Sequence, residues 1–287
     1  MDMRPKTGNM LTRRQLMRAA VLLPIMPLLH STAAASTPAS TDVRPAAIVD
    51  VDRIVDLCQV ERHRFADGYA DFYAVGPNYA AQKRDSITKL IDGGDGLALV
   101  HETNGQVDGV ILGILVFAPP VYKPPGKVCL LLDFVAPAWS QPAANLLVAA
   151  NRRVKDLGGV LFIAECMGSA KGKRHFLTTA GFEVASAWYQ RFIDIPEPKK
   201  AVGGVIEAAT TDDIPAIVEL CEMRLLQKQK YQPTFWLKAD DSAEKQSSYL
   251  SWLMSQGKSI MLVHRVGGKI DGLVIANPFG RLPYGEG

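Results

Sequence analysis

The stretch LVHETNGQVDG, Leu99–Gly109, returns as LVHRVGGKIDG, Leu262–Gly272, at an offset of 163 residues. In both, an apolar run meets a two-residue turn, Asn104–Gly105 or Gly267–Gly268, and an apolar run resumes beyond it. Asn-Gly and Gly-Gly accept the left-handed backbone of a tight turn, so each stretch is read as a β-hairpin. The same offset, without a gap, lays IVDLC (Ile54–Cys58) on IVELC (Ile217–Cys221), Phe72 on Phe235, Leu90 on Leu253 and Pro120 on Pro283. A period this long is not that of a solenoid; it reads as duplication of a domain. The first copy runs over 43–195, PEPKKAVGG (Pro196–Gly204) is a linker, and the second copy spans 205–287, where Gly287 falls opposite Pro124 of the first.

Working outward from the hairpin, residues 43–46 predict a short strand. Val51, Ile54, Val55 and Cys58 follow at helical spacing, as do Ile214, Ile217, Val218 and Cys221. A second helix is expected over Ala80–Asp92, with Ala243–Ser255 as its counterpart. Beyond the hairpin, the first copy alone continues with a strand VCLLLDFVAP, a helix over Gln141–Leu157, a strand VLFIAEC, a short helix KGKRHFLTTAG and a last strand over Glu183–Ile193. The expected class is α/β, a mixed sheet with helices packed on its faces.

This element order resembles the GNAT superfamily of acetyl-CoA-dependent N-acetyltransferases. Two local features carry the resemblance: a central strand ending in V-x-P (Val135–Pro137) directly before a helix, and FLTTAGF (Phe176–Phe182). In the latter, Gly181 suits a left-handed helix end and Phe182 turns the chain back into the core. The resemblance spans the first copy and the front half of the second. It implies a duplicated GNAT-like fold with an incomplete second copy, acetyl-CoA as co-substrate, no metal, and an amine acceptor that is a small molecule or a peptide.

In that family the acetyl-CoA pyrophosphate sits on N–H groups at a helix start, where unsatisfied donors and the helix dipole favour an anion. The matching stretch here is PAWSQPAANLL, Pro137–Leu147, so the resemblance implies cofactor contacts from Val135, Ser140, Gln141, Ala143, Ala144 and Asn145. The sequence departs from the pattern in placing Ala143 and Asn145, or Ala144, where glycines are expected. Pro142 removes one donor, although it suits a first helical turn. Lys173 and Arg174, with Lys171, are read as contacts to the 3′-phosphate, or else as a solvated face. The tyrosine that protonates the departing thiolate in many relatives is Leu177 here, the asparagine before it is Ala170, and Tyr189 is the substitute acid. Asp133 is the candidate general base, with a solvated or helix-capping aspartate as the other reading.

The duplication also sorts residues. Features shared by both copies, His101 with His264 and Asp108–Gly109 with Asp271–Gly272, read as scaffold. Residues peculiar to the first copy, Arg62, His63, Arg64, Tyr69 and Tyr79, are candidates for the acceptor pocket or are plain surface.

Composition narrows the class of partner. Of 32 basic and 29 acidic residues, residues 1–35 hold Arg4, Lys6, Arg13, Arg14 and Arg18 against Asp2, which leaves 27 and 28 in the rest. A body so near neutrality carries no electrostatic footprint for nucleic acid or anionic lipid. Residues 1–35 themselves have the three-part layout of an export signal: TRRQLMR with adjacent arginines, the apolar stretch Ala19–Leu29, then Ala33 and Ala35 in an A-x-A arrangement. That apolar stretch is too short to span a bilayer, and 36–42 follow as a polar linker. The expected location is the periplasm, or the cytoplasm if translation starts further on. Cys58, Cys129, Cys166 and Cys221 show no C-x-x-C spacing and lie in apolar runs, as small buried hydrophobes do. Two functions stay open at this level: an N-acetyltransferase working through the first copy, and a degenerate copy of the fold acting as a binding or structural module. A homodimer, or docking of one copy on the other, would cover the edge that a half sheet leaves open.

Overall fold

The computed structural model describes residues 41–66, 74–123, 126–187, 203–233 and 235–276, which form a five-stranded mixed sheet and a three-stranded antiparallel one. The larger sheet has the order β1 (Thr41–Pro45), β2 (Leu97–Thr103), β3 (Gln106–Val116), β4 (Lys127–Val135) and β5 (Gly159–Ala164). Its first four strands are antiparallel, and β5 runs parallel to β4. The parallel step needs a crossover, which α3 (Gln141–Asp156) supplies. Helices α1 (Val51–Ala66) and α2 (Tyr79–Gly93) lie between β1 and β2 in the chain, and α4 (Lys171–Thr179) follows β5.

Each face of this sheet buries its own core. On one face α1 and α2 contribute Ile54, Val55, Cys58 and Ile87 against Val100, Val110, Leu112 and Val135. On the other, α3 and α4 contribute Ala143, Leu146, Ala150, Val154 and Leu177 against Leu99, Ile111, Leu131 and Phe134. A sheet covered on both faces explains why β3 reads as a nearly continuous apolar run rather than an alternating one.

Residues 203–276 repeat the opening of this plan: β6 (Val205–Ala208), α5 (Ile214–Tyr231), α6 (Ser242–Gln256), β7 (Ile260–Val266) and β8 (Lys269–Ala276). The agreement extends to detail. Asn104 and Gly105 turn the first hairpin with φ of 54° and 77°, and Gly267 and Gly268 turn the second with 56° and 81°. Both hairpins carry a bulge one step after the histidine, at His101/Glu102 and at His264/Arg265. The histidines, each held through Nδ1 by a carboxylate of the next strand, match as well: His101 to Asp108 at 2.6 Å and His264 to Asp271 at 2.5 Å. Asp108 and Asp271 are therefore more than backbone features of the hairpin; Asp108 also accepts from Thr103 Oγ1 at 2.8 Å. On its outer side β8 has no strand partner among the described residues.

One charged triad is conserved in place but inverted in sign. In the first half, Arg44 on β1 grips Asp50 through two hydrogen bonds of 2.7 and 2.9 Å and reaches Glu102 on β2 at 2.5 Å. In the second half the matching strand carries Glu207, and Arg265 on β7 pairs with it and with Asp213. Asp50 and Asp213 each also cap the turn before the following helix, accepting the N–H of Ala47 at 2.7 Å and of Thr210 at 2.9 Å. Arg44 holds the Asp50 carboxyl below the usual carboxylate range, with the Ala47 N–H adding to it. At Asp213 the Thr210 N–H is the larger cause and Arg265 the next. A depressed folded pKa contributes stability that is present above the unfolded value and is lost as pH falls through the folded one. Asp50→Asn is therefore expected to destabilise the protein by about 1–2 kcal/mol at neutral pH. It should also flatten part of the loss of stability expected below about pH 4, as urea titrations at stepped pH would record. An unchanged acid slope would remove Asp50 from that account.

The two halves meet along the segments before β4 and before α6. Lys123 donates its N–H to Leu237 O at 2.8 Å, Ala239 donates to Val121 O at 3.0 Å, and the Tyr122 ring packs tilted against Trp236 with ring centres 5.1 Å apart. The expected last strand over Glu183–Ile193 is not found in its described part: residues 183–187 form none, and the rest lies outside the described residues.

Candidate functional site

The site is built by an irregularity in β4. Leu112 pairs with Asp133, but Gly113 pairs with Leu131, so Leu132 is an extra residue opposite no partner. A bulge of this kind reverses the inside-out alternation and re-aims the side chains that follow. Leu132 is turned to solvent, Asp133 faces the α1–α2 side, and Phe134 enters the α3–α4 core. At the same level β5 ends. The β4–β5 pairing stops at Leu131 with Ala164, and beyond it β4 has no partner on that side among the described residues. The strand then runs through Ala136–Trp139 into the start of α3, where Ser140 is the N-cap and makes no side-chain cap bond. A bare strand edge thus leads directly to a helix start.

The helix start is less damaged than its sequence suggests. The Ala143 methyl is fully buried in the α3–α4 core, so it stands clear of any anion at the helix end. The side chains of Ala143, Val135 and Leu177 belong to the core, Val135 on the opposite face of the sheet, so Ala143 and Val135 offer a ligand their backbone alone. The Ala144 N–H is already spent on Ser140 O at 3.0 Å, and Pro142 has no N–H, which leaves those of Gln141 and Ala143 as the free donors of the first turn. The Gln141 side chain donates to Asn145 Oδ1 at 2.7 Å, tying the two together. Ala144 faces an apolar groove of about 500 Å³ between α3 and α4, walled by Phe162, Phe176 and Phe182. Phe182 reaches it because Gly181, at φ 88°, bends the chain back after α4, and the Phe182 N–H bonds Leu177 O at 2.9 Å.

Four charged side chains meet beside the bare edge. Asp133 is ion-paired with Lys83 of α2, and Glu61 of α1 lies 3.6 Å from Lys173 of α4. Lys83, Glu61 and Lys173 are 6%, 8% and 5% exposed, which for such residues requires partners. Lys173 also lies over the rings of Trp139 and Phe65, 5.3 and 5.9 Å from their centres. The Cys58 thiol is pushed well above its ordinary range by burial, and then by the charge of Asp133. Trp139 closes the group from the helix side, packed edge-on to Phe134 at 5.2 Å and against Phe176 at 5.8 Å.

Two expectations change here. Lys173 does not lie on the surface to meet a phosphate; it points inward to Glu61, because its place in α4 is on the same stripe as buried Leu177. Asp133 is neither solvated nor a helix cap, and it is not a free carboxylate, since Lys83 is already upon it. Arg174 and Lys171 remain exposed, Arg174 resting 3.5 Å from Gly168 O, and Ala170 is the N-cap of α4. His63 and Arg64 are exposed on α1, with Arg64 at 3.3 Å from Glu61, while Arg62 is half-buried and Tyr79 is in the core. Tyr69 and Tyr189 lie outside the described residues. The members that sequence reading missed are Glu61 and Lys83. Their signal was present: Ile54, Cys58 and Glu61 share one stripe of α1, and Tyr79, Lys83 and Ile87 one stripe of α2.

Chemically, the cluster offers two carboxylates able to hold a proton or a cationic amine, each now satisfied by a lysine. Among the described residues no helix is long and apolar enough to cross a membrane.

No family model matches the chain, and no curated protein does. Solved structures similar to it include a predicted acetyltransferase from Clostridium acetobutylicum determined with acetyl-CoA, at 15% identity and a TM-score of 0.41, covering 54% of this chain and 97% of that one. An aminoglycoside N-acetyltransferase in complex with CoA gives 13% identity and 0.41, over 55% of this chain and 98% of that one. Glucosamine-6-phosphate N-acetyltransferase from Arabidopsis thaliana gives 15% and 0.39, over 54% and 99%.

Proposed function

We propose that the first half of the chain is an N-acetyltransferase that uses acetyl-CoA and an amine acceptor. The observation that carries this reading is the continuity of the bare β4 edge beyond Leu131 with the start of α3 at Ser140. An open strand edge can take up an extended amide chain by main-chain hydrogen bonds. A helix start suits the diphosphate at the end of such a chain. Acetyl-CoA, when bound, supplies the thioester carbonyl that an amine attacks. The chain's own part is to align the two and to receive the amine's proton, and alignment accounts for much of the acceleration in such transfers. Asp133, beside the bulge, and Glu61, facing it from α1, are the carboxylates in reach of that proton. For either to act, the arriving amine must displace the ammonium of Lys83 or Lys173. Arg174 and Lys171 stay as candidates for outer phosphate contacts, and Val135, Ser140, Gln141 and Asn145 as the frame of the helix start.

A specific observation favours a second reading, a module that binds acetyl-CoA without turning it over. Both carboxylates are closed by ion pairs, and Leu177 stands where a proton donor would be useful. One experiment addresses both. Acetyl-CoA at a hundredfold excess over its Kd is expected to stabilise the full chain by about 2.7 kcal/mol in thermal unfolding. Ser140→Asp, which puts an anion on the helix start, should leave the free protein as stable or slightly more so and weaken acetyl-CoA about tenfold. No stabilisation at millimolar acetyl-CoA, or an equal shift in the variant, would sink the proposal. Stabilisation without acetylation of any of a panel of amines would select the second reading.

We infer also that residues 205–276 are a second copy of the opening half of the first. The common hairpin turn, bulge, histidine–carboxylate pair and inverted triad support this. Residues 1–35 as an export leader remain a proposal, to be tested by fractionation of the Arg13→Lys/Arg14→Lys variant.

A further inference from the structure

The seam between the two halves holds an unbalanced set of charges. Arg224 and Lys228 lie one turn apart on α5, where like charges destabilise a helix unless something offsets them. The Lys228 ammonium lies 3.9 Å above the Trp236 ring, and among the described residues neither cation is paired with a carboxylate. The acidic side chains nearby are committed elsewhere: Glu222 to Lys238 at 2.7 Å and to Ser242 Oγ at 2.5 Å, Asp240 to Lys123 at 2.8 Å, and Glu183 to Gln232 at 2.6 Å. Burial, and then the charge of Arg224, holds Lys228 below the usual lysine range, as expected of two cations facing one uncompensated space.

That space is an open cavity of about 380 Å³. Arg224, Gln227, Lys228 and Tyr231 line it from α5, Trp236 closes one side, and Ser186 with its neighbours closes the other. Trp236 is fixed there because its Nε1–H donates to Ala185 O at 3.3 Å and its ring packs edge-on to Phe235 at 4.4 Å. The lining is rich in donors, a guanidinium, an ammonium, a side-chain amide and two hydroxyls, and among the described residues it offers no carboxylate. The volume falls in the range of small-ligand sites.

The geometry points to a binding site for a phosphate dianion, free or as a phosphate monoester, between Arg224 and Lys228 at the seam of the two halves. Guanidinium and ammonium would each form a charge-assisted bond to the phosphate oxygens. Tyr231 and Ser186 stand where they can meet the rest of an organic phosphate. The site is separate from the β4 edge, and it does not depend on the acetyl-transfer reading.

The test is calorimetric titration of the full chain with inorganic phosphate and, separately, with glucose 6-phosphate, against sodium chloride at matched ionic strength. Saturable binding of at least one phosphate is expected, weakened about tenfold or more in Arg224→Gln and in Lys228→Gln. Arg224 is exposed and Lys228 half-buried on α5, and far-ultraviolet circular dichroism verifies that both variants stay folded. Binding of both ligands identifies the phosphate group alone as sufficient; binding of the sugar phosphate alone adds a requirement for its organic part. Heats no larger than those of chloride, or binding unaltered in both variants, would overturn the proposal.

Discussion

Lys83→Met is expected to lower the unfolding free energy by about 3–5 kcal/mol, because it takes the counter-ion from the Asp133 carboxylate inside the protein. Both groups are largely out of water, at 7% and 15% side-chain exposure, and they belong to elements far apart in sequence, α2 and β4. Asp133→Leu should cost a similar amount by removing the carboxylate that faces the buried ammonium. The double variant Lys83→Met/Asp133→Leu should recover most of the loss, since well-packed apolar groups often replace a buried pair at little cost. Urea unfolding of the four proteins forms a double-mutant cycle. If the two single losses simply add in the double variant, the pair is not the coupled unit described here. On the acetyl-transfer proposal, an amine that reaches Asp133 would have to better an ammonium already held at contact distance.

The second large effect is expected at Phe134→Ala. The ring is 2% exposed and is the common contact of Trp139, at 5.2 Å, and Phe176, at 5.9 Å, both edge-on. Its removal should cost about 3–5 kcal/mol in stability, transfer and cavity together, with the lost ring contacts adding to it. Phe134 is also the support on which Trp139 holds the turn from β4 into α3. Acetyl-CoA stabilisation should therefore fall in Phe134→Ala by more than in Val154→Ala, which thins the same core at the far end of α3. Equal ligand shifts in the two variants would show that Trp139 does not position the helix start.

What could be read from sequence was local. The hairpins, with their turn residues and flanking apolar runs, and the stripes of α1 and α5 are each specified by contiguous residues, and all stand in the structure, the two helices continuing past Cys58 and Cys221 to Ala66 and Tyr231. The fate of Asp133 was not legible, because it depends on the bulge at Leu132, and that exists only in the register between β3 and β4. Lys173 was misread for a related reason. Flanked by Lys171 and Arg174, it looks like part of a solvated run, and only the helix phase that it shares with Leu177 sends it inward. Glu61 and Lys83 were legible in principle, as charged residues on otherwise apolar stripes. Charge at such positions is a sign of a partner on another element, which the sequence alone does not name.

The inverted triad has a consequence for how the chain finds its fold. Two similar halves on one chain meet at high effective concentration, and exchange of matching strands is the characteristic error of such proteins. If β6 and its turn took the place of β1 beside β2, Glu207, Asp213 and Glu102 would converge with no cation between them. If β1 took the place of β6 beside β7, Arg44 and Arg265 would share the single carboxylate of Asp50. Each correct pairing carries one arginine and two acids, while each crossed pairing is unbalanced and penalised by like charges across the strands. The swap of arginine and glutamate between the halves thus acts as a sorting mark, by which each leading strand accepts its own hairpin and refuses its neighbour's.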